Sequence, residues 1–203
     1  MNLHEKERRH AIGIFKRMAA KKKPYEIKIL GKKIPVFPGV FSPKYFSDVK
    51  WFAKEVPKIV GTRSFLEIGT GTGVIALFVA LRGGKHILAT DINPIAVRNA
   101  RQTFRLHGFR IPVRLGNVFA PVRGDEKFDV IFWNHPFHFS EKKPKDMLEG
   151  GAYDHRYKSL RAFFADAKDH LAEGGEGLLG TSKNARLDLI RDGCRFFIYD
   201  SIP

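Results

Sequence analysis

Glu67-Ile68-Gly69-Thr70-Gly71-Thr72-Gly73 closes the strand-like run Ser64 to Ile68 and opens directly onto Val74 to Leu81, an uninterrupted apolar stretch. Strand, glycine turn and helix therefore follow one another without a linker. Glycine is required in such a turn because the backbone takes angles that a β-carbon disfavours, and because a ligand packed against the main chain leaves no room for a side chain.

Outward from this turn the rhythm repeats. Short apolar runs at His86 to Thr90, Val113 to Leu115, Phe128 to Trp133 and Gly177 to Gly180 are separated by helically spaced stretches at Pro94 to His107 and Arg156 to Leu171. Upstream, Phe46, Val49, Phe52, Ala53, Val56 and Ile59 predict a helix over Tyr45 to Val60, with Pro57 distorting its last turn. Alternation of this kind needs crossover helices, so it predicts an α/β fold with a doubly wound, mainly parallel sheet. Its ligand crevice lies beyond the carboxyl ends of the strands. A chain of 203 residues buries a full core as one domain.

Before this domain, placed at residues 45–203, residues 1–44 form a basic lead-in. Leu3, Ile12, Ile14, Phe15 and Met18 predict a helix ended by Lys21-Lys22-Lys23-Pro24. Tyr25 to Leu30 and Ile34 to Phe37 predict a hairpin around Gly31-Lys32-Lys33. Of the formal net charge of +15, residues 1–33 supply +8, from eleven Lys or Arg against three Glu. Charge concentrated in this way favours a polyanionic partner such as RNA. The single cysteine, Cys194, excludes an internal disulfide framework and a cysteine-based zinc site, which fits a cytoplasmic setting. No apolar run is long enough to span a bilayer, and the charged first 25 residues lack a secretory signal core.

Spacing narrows the ligand. Turns that seat a pyrophosphate read GxGxxG, whereas this one reads GxGxG with Glu67 two residues ahead of Gly69. A carboxylate there repels a pyrophosphate and suits the cationic methionine part of S-adenosylmethionine, held directly or through water. This speaks against a nicotinamide-dependent oxidoreductase. Asp91 ends the second strand 22 residues past Gly69, the place for an acid that binds two ribose hydroxyls. The third strand leads to Asn117, whose amide suits the adenine edge, and Val118, whose side chain suits its face. The expected donor site is Glu67, Gly69, Thr70, Gly71, Gly73, Asp91, Ile92, Asn117 and Val118, bordered by Asn134. The structural alternatives are a helix N-cap for Asp91 and a plain turn residue for Asn117.

The fourth strand delivers Asn134-His135-Pro136-Phe137-His138 to the crevice edge. Methyl transfer from a sulfonium is an in-line displacement, so a nitrogen has to be held about 3 Å from the methyl carbon with its lone pair aimed along the breaking bond. In an amino group conjugated to a ring or carbonyl that lone pair is delocalised. Acceptors such as the Asn134 side-chain oxygen and the His135 carbonyl can bind its hydrogens and favour the reacting geometry. Phe137 offers a face for stacking, worth roughly 1–3 kcal/mol per base. A metal site at His135 and His138 is excluded, because Pro136 lies between them in a loop and no carboxylate or thiol cluster accompanies them. His138 is a proton acceptor or simply a surface histidine.

These residues resemble class I methyltransferases, and among them the methyltransferase small domain group that includes ribosomal RNA guanine-N2 methyltransferases. The likeness spans roughly residues 35 to 182. It rests on EIGTGTG, ATD, Pro38-Gly39-Val40-Phe41-Ser42, GNVFAPV (116–122) and FDVIFWNHPFH. In that family an NPPFH-type motif binds the target amino group, which implies the same for Asn134 and Phe137. His135 stands where the family usually has proline, and the family's last antiparallel strand is not seen after the strand-like Phe196 to Tyr199. The motif is also similar to that of enzymes that methylate a glutamine amide or DNA adenine. The resemblance with the basic lead-in favours RNA, protein glutamine being the alternative and an inactive RNA-binding module a third reading.

Overall fold

A computed structural model describes residues 13–182, residue 185 and the backbone of Cys194–Tyr199. Leu3, Ile12 and the side chain of Cys194 lie outside the described residues. Residues 13–19 are helical (α1). β1 (Tyr25–Ile29) and β2 (Lys32–Val36) pair antiparallel, and α2 (Asp48–Val60) follows. Then come β3 (Ser64–Ile68), α3 (Val74–Leu81), β4 (Lys85–Asp91), α4 (Pro94–Leu106), β5 (Val113–Leu115) and β6 (Phe128–Asn134). Beyond β6 lie β7 (His138–Ser140), α5 (Met147–Gly150), β8 (Tyr153–His155), α6 (Lys158–Asp166), β9 (Leu171–Ser182) and β10 (Cys194–Tyr199).

The main sheet has the order β10-β9-β6-β3-β4-β5, and each of its pairings is parallel. The chain starts at β3, winds outward through β4 and β5, then returns to β6 on the other side. The switch point therefore lies between β3 and β6, where an open sheet of this type takes its ligand. β10 runs parallel to β9, and among the described residues no antiparallel strand joins this sheet.

Successive side chains of a strand point to opposite faces, and here they divide two cores. Phe65, Val130, Phe132 and Leu178 pack with Phe52, Leu77, Val97 and Phe104 of α2, α3 and α4. Their neighbours Leu66, Ile131, Trp133 and Leu179 pack with Tyr157, Leu160 and Phe163 around α6. Helix α3 is apolar because most of it is covered, by the sheet, α2 and α4, Leu81 at its end being exposed. Gly73 permits this contact, since a Cβ there would lie 2.9 Å from Phe104 Cε1 and 3.1 Å from the Ala100 backbone.

Four local expectations are corrected. The hairpin turn is Leu30-Gly31, at φ 45° and 80°, a two-residue reversal of the handedness that matches strand twist, so Lys32 and Lys33 belong to β2. α2 begins at Asp48 and not at Tyr45, Pro43–Tyr45 forming a separate 3-10 turn. The helix expected over Arg156 to Leu171 is shorter, α6 passing into a 3-10 turn at Ala167–His170. β9 is twelve residues long, its glycines having masked all but its apolar centre. The hairpin joins the main core through Ile29 and Ile34. Buried Asn99 of α4 clasps it, donating from Nδ2 to the Pro35 carbonyl at 2.7 Å and accepting the Phe37 N–H at 2.7 Å. Among the described residues no helix is long and apolar enough to cross a membrane.

Candidate active site

The glycine turn stands at the end of β3 with Gly69, Gly71 and Gly73 all at positive φ. It is braced from two sides. Glu67, buried beneath it, accepts the Thr70 hydroxyl at 2.7 Å and the Ala76 N–H of α3 at 3.1 Å. Burial pushes the Glu67 carboxyl up to about 8, opposed by those two hydrogen bonds and reinforced by nearby Asp91. Asp91 accepts the Gly71 N–H at 2.8 Å on one oxygen and the Asn93 N–H at 2.8 Å on the other. Burial raises its pKa as well, with the backbone donors opposing. The helix N-cap is Asn93, which accepts the Ile95 N–H at 2.9 Å, so capping α4 is not what Asp91 does. Each Asp91 oxygen keeps a lone pair beyond its backbone bond.

Beyond β5 the chain turns at Gly116, whose N–H reaches the Asp91 carbonyl at 2.9 Å. Asn117 is exposed at this turn, while Val118 is buried with φ 46°. Ile92 is 53% exposed, an unusual position for isoleucine that leaves an apolar face beside the cleft.

Asn134 ends β6 opposite Gly180 of β9. A Cβ at Gly180 would fall 2.9 Å from Asn134 Oδ1 and 2.6 Å from Phe52 Cζ, so the glycine makes the space in which the amide stands. The Asn134 Nδ2 donates to Asp48 Oδ2 at 3.1 Å. Asp48, the first residue of α2, is buried, and that burial raises its pKa against the hydrogen bonds from Asn134 and Val49. His135 points into the fold, 2% exposed, with Nε2 2.9 Å from the Thr181 hydroxyl, and Nδ1 meets no hydrogen-bond partner among the described residues. Burial holds its pKa down at about 3, so the ring is neutral. A packed imidazole thus restrains this position in place of a pyrrolidine ring.

The Phe137 carbonyl accepts the hydroxyl of buried Tyr157 at 2.8 Å, and the His138 N–H reaches the Ala152 carbonyl at 3.0 Å. Asp48, Tyr157 and Thr181 were absent from the expected set. Asp48 carries a local signal as an acid at a helix start, but nothing adjacent in sequence marks its partner.

The donor-side residues other than Gly73 line, with Asn134 to His138, one cleft of about 1180 Å³, above the roughly 300–1,000 Å³ of most small-molecule pockets. Gly73 faces Phe104 and Ala100 of α4 instead. Gly71 lines it, and no atom lies within 4 Å of where a Cβ would stand, so the backbone there is open to a ligand. The far half of the cleft is aromatic. Phe137 and His138 lie 4.5 Å apart by ring centroid, His138 and Tyr153 5.2 Å, Tyr153 and Phe15 6.2 Å, and Phe15 and Phe41 6.2 Å. α1 brings Phe15 to this wall by packing Ile14 and Met18 with Leu148. Exposed Lys44, Lys143 and Lys145 line the same half. Among the described residues no cluster of three His, Cys, Asp or Glu is placed to hold a metal ion.

The family described as methyltransferase small domain matches residues 32–189. A putative protein N5-glutamine methyltransferase of Methanocaldococcus jannaschii is 33% identical over 153 residues, covering 73% of this chain and 75% of that one. The ribosomal RNA small subunit methyltransferase C of Haemophilus influenzae is 32% identical over 112 residues, covering 55% of this chain and 30% of that protein. The release factor glutamine methyltransferase of Aquifex aeolicus is 32% identical over 152 residues, covering 68% and 53%. The chain thus spans 30% and 53% of the length of two of these three relatives. A solved T. thermophilus 16S rRNA N2 methyltransferase, in complex with AdoMet and guanosine, superposes with a TM-score of 0.64 at 19% identity, covering 82% of this chain and 44% of that one.

Proposed function

The chain belongs to the methyltransferase small domain family and is an S-adenosylmethionine-dependent methyltransferase, and from that premise we propose that it methylates an amino group on a base of RNA. The observation that carries this reading is the acceptor half of the cleft, where Phe15, Phe41, Phe137, His138 and Tyr153 form a wall beside Lys44, Lys143 and Lys145. Aromatic faces beside lysines suit an unpaired base and its phosphates. A glutamine side chain has no ring to stack.

The donor half fits S-adenosylmethionine. Glu67, Gly69, Thr70 and Gly71 would meet its methionine part, Asp91 with Ile92 its ribose, and Asn117 with Val118 its adenine, while Gly73 serves by letting α3 pack on α4. When bound, the cofactor supplies a methyl group on a sulfonium that departs as a neutral thioether. Asn134 Oδ1 accepts one hydrogen of the substrate amino group, drawing its lone pair out of conjugation, and Phe137 holds the ring plane. Once the nitrogen has taken the methyl group, its surplus proton would pass to water or to His138. Pro136 and the buried His135 keep the loop rigid, so the contact is already formed when the base arrives.

A second reading, methylation of a glutamine amide, is favoured by the relative of which this chain covers 75%. Such an amide is also a planar, conjugated amino group. Incubation with labelled donor and separate pools of cellular RNA and protein tests the proposal. Label in RNA is expected. Label confined to protein would replace it with the glutamine reading, and donor binding without label in either pool would favour an inactive RNA-binding module.

A further inference from the structure

We infer that Asp48 is a positioning residue that determines which end of the Asn134 amide faces the cleft. The inference rests on the reading of Asn134 as acceptor of the substrate amino group. The two ends of a primary amide have nearly the same shape but opposite hydrogen-bonding character, and only the oxygen can receive a substrate N–H. Space alone does not choose between them. Gly180 leaves the space in which Oδ1 stands, and among the described residues no donor meets that oxygen, so the choice falls to the partner on the other side.

That partner is a carboxylate. Asp48 Oδ1 accepts the Val49 N–H at 2.7 Å, and Oδ2 accepts the Asn134 Nδ2 at 3.1 Å. An ionised carboxylate only accepts, so it takes the NH2 end and leaves Oδ1 to the substrate. α2 brings Asp48 to this point across 86 residues of sequence, with Phe52 one turn later packed on Phe132 at 5.2 Å. The acid at the start of α2 and the amide at the end of β6 are therefore held by the same core.

The isosteric change Asp48→Asn discriminates positioning from mere support. The Val49 N–H can only donate, so the new amide at position 48 turns its oxygen there and presents its NH2 to Asn134. Asn134 satisfies that donor only by turning round, which points its own NH2 at the substrate. Asp48→Ala instead leaves the amide free to adopt either orientation. Labelling rates on whichever cellular pool the wild-type protein modifies should fall on the order of 100-fold in Asp48→Asn, the scale of losing one transition-state contact. The fall in Asp48→Ala should be smaller, although this variant has the lower thermal midpoint. Affinity for S-adenosylhomocysteine should stay within about 3-fold of wild type in both.

The double variant Asp48→Asn/Asn134→Asp gives the new amide a carboxylate to donate to and returns an acceptor oxygen to the cleft, so it should recover at least about 10-fold over Asp48→Asn. In nitrogen-15 spectra the Asn134 side-chain NH2 should be protected from exchange in the wild type and exposed in Asp48→Asn. Wild-type turnover in Asp48→Asn, or a greater loss in Asp48→Ala than in Asp48→Asn, overturns the inference. If Asn134→Ala is itself fully active, the reading of Asn134 fails. If Asn134→Ala is crippled while Asp48→Asn is not, only the role of Asp48 falls.

Discussion

Asp91 holds the Gly71 N–H at 2.8 Å, so the end of β4 and the crest of the glycine turn behave as one rigid piece. An acid that already fixes the turn offers its remaining lone pairs in a fixed direction. Asp91→Ala should weaken S-adenosylhomocysteine binding by more than about 100-fold, since each hydrogen bond to a charged acceptor is worth roughly 1.5–3 kcal/mol. Calorimetry measures this directly, and affinity within about 3-fold of wild type would show the ribose assignment to be wrong.

Glu67 should make the empty protein less stable as pH rises. Its pKa is about 8 in the fold against an ordinary 4.5. Between those values the folded chain keeps a proton that the unfolded chain loses, so stability declines with pH at up to about 1.4 kcal/mol per unit. Glu67→Gln should remove that slope in urea unfolding at pH 5 and pH 8. Binding a cation favours the ionised carboxyl, so donor binding at pH 7 should release a proton. Calorimetry in buffers of different ionisation enthalpy should detect the release in the wild type and not in Glu67→Gln.

His135 acts in the opposite sense. Its pKa is about 3 in the fold against an ordinary 6.5, so below pH 6.5 the unfolded chain takes up a proton that the folded chain refuses. Stability contributed by the neutral ring is present above pH 6.5 and lost as pH falls. From pH 4.5 to 6.5 this contribution and that of Glu67 oppose each other. His135→Gln should therefore unmask a decline with rising pH in that window, and Glu67→Gln an increase. Parallel curves for both variants and the wild type would mean that neither group is protonated as described.

Lys143 and Lys145 should govern the electrolyte dependence of RNA binding. Replacing both with alanine should lower the slope of log affinity against log salt by about 1.4, roughly 0.7 for each phosphate contact to a single strand. Binding to a poly-uridine oligomer across a salt series tests this, and an unaltered slope would place the phosphates elsewhere.

Local chemistry explains what could be read before the structure. Gly69, Gly71 and Gly73 announce a strand-to-helix turn because their requirement is set by backbone angles, and Phe65, Leu66 and Ile68 announce a strand buried on both faces because apolar side chains fall on both sides of it. Asp91 and Asn134 could be placed because each ends such a strand. Long-range relationships were not legible. Asp48 gains its partner across 86 residues, His135 meets Thr181 across 46, and Tyr157 reaches Phe137 across 20, and no residue type near any of them signals the other end. β7 and β8 escaped for a related reason. Three-residue strands beside Lys142, Lys143 and Lys145 lack the length for a periodic pattern, and they pair only once the loop after Asn134 has folded back.

The clasp of Asn99 on the hairpin has a practical corollary for protein engineering. Both ends of a fully buried amide are committed to β2 and the residue after it, so parting the two pieces would strand a donor and an acceptor in an apolar setting, at about 1–3 kcal/mol for each group. A chimaera spliced between residues 36 and 48 would sever the chain across that clasp. Grafting the module intact calls for a junction ahead of Tyr25, so that Asn99 travels with both of its partners.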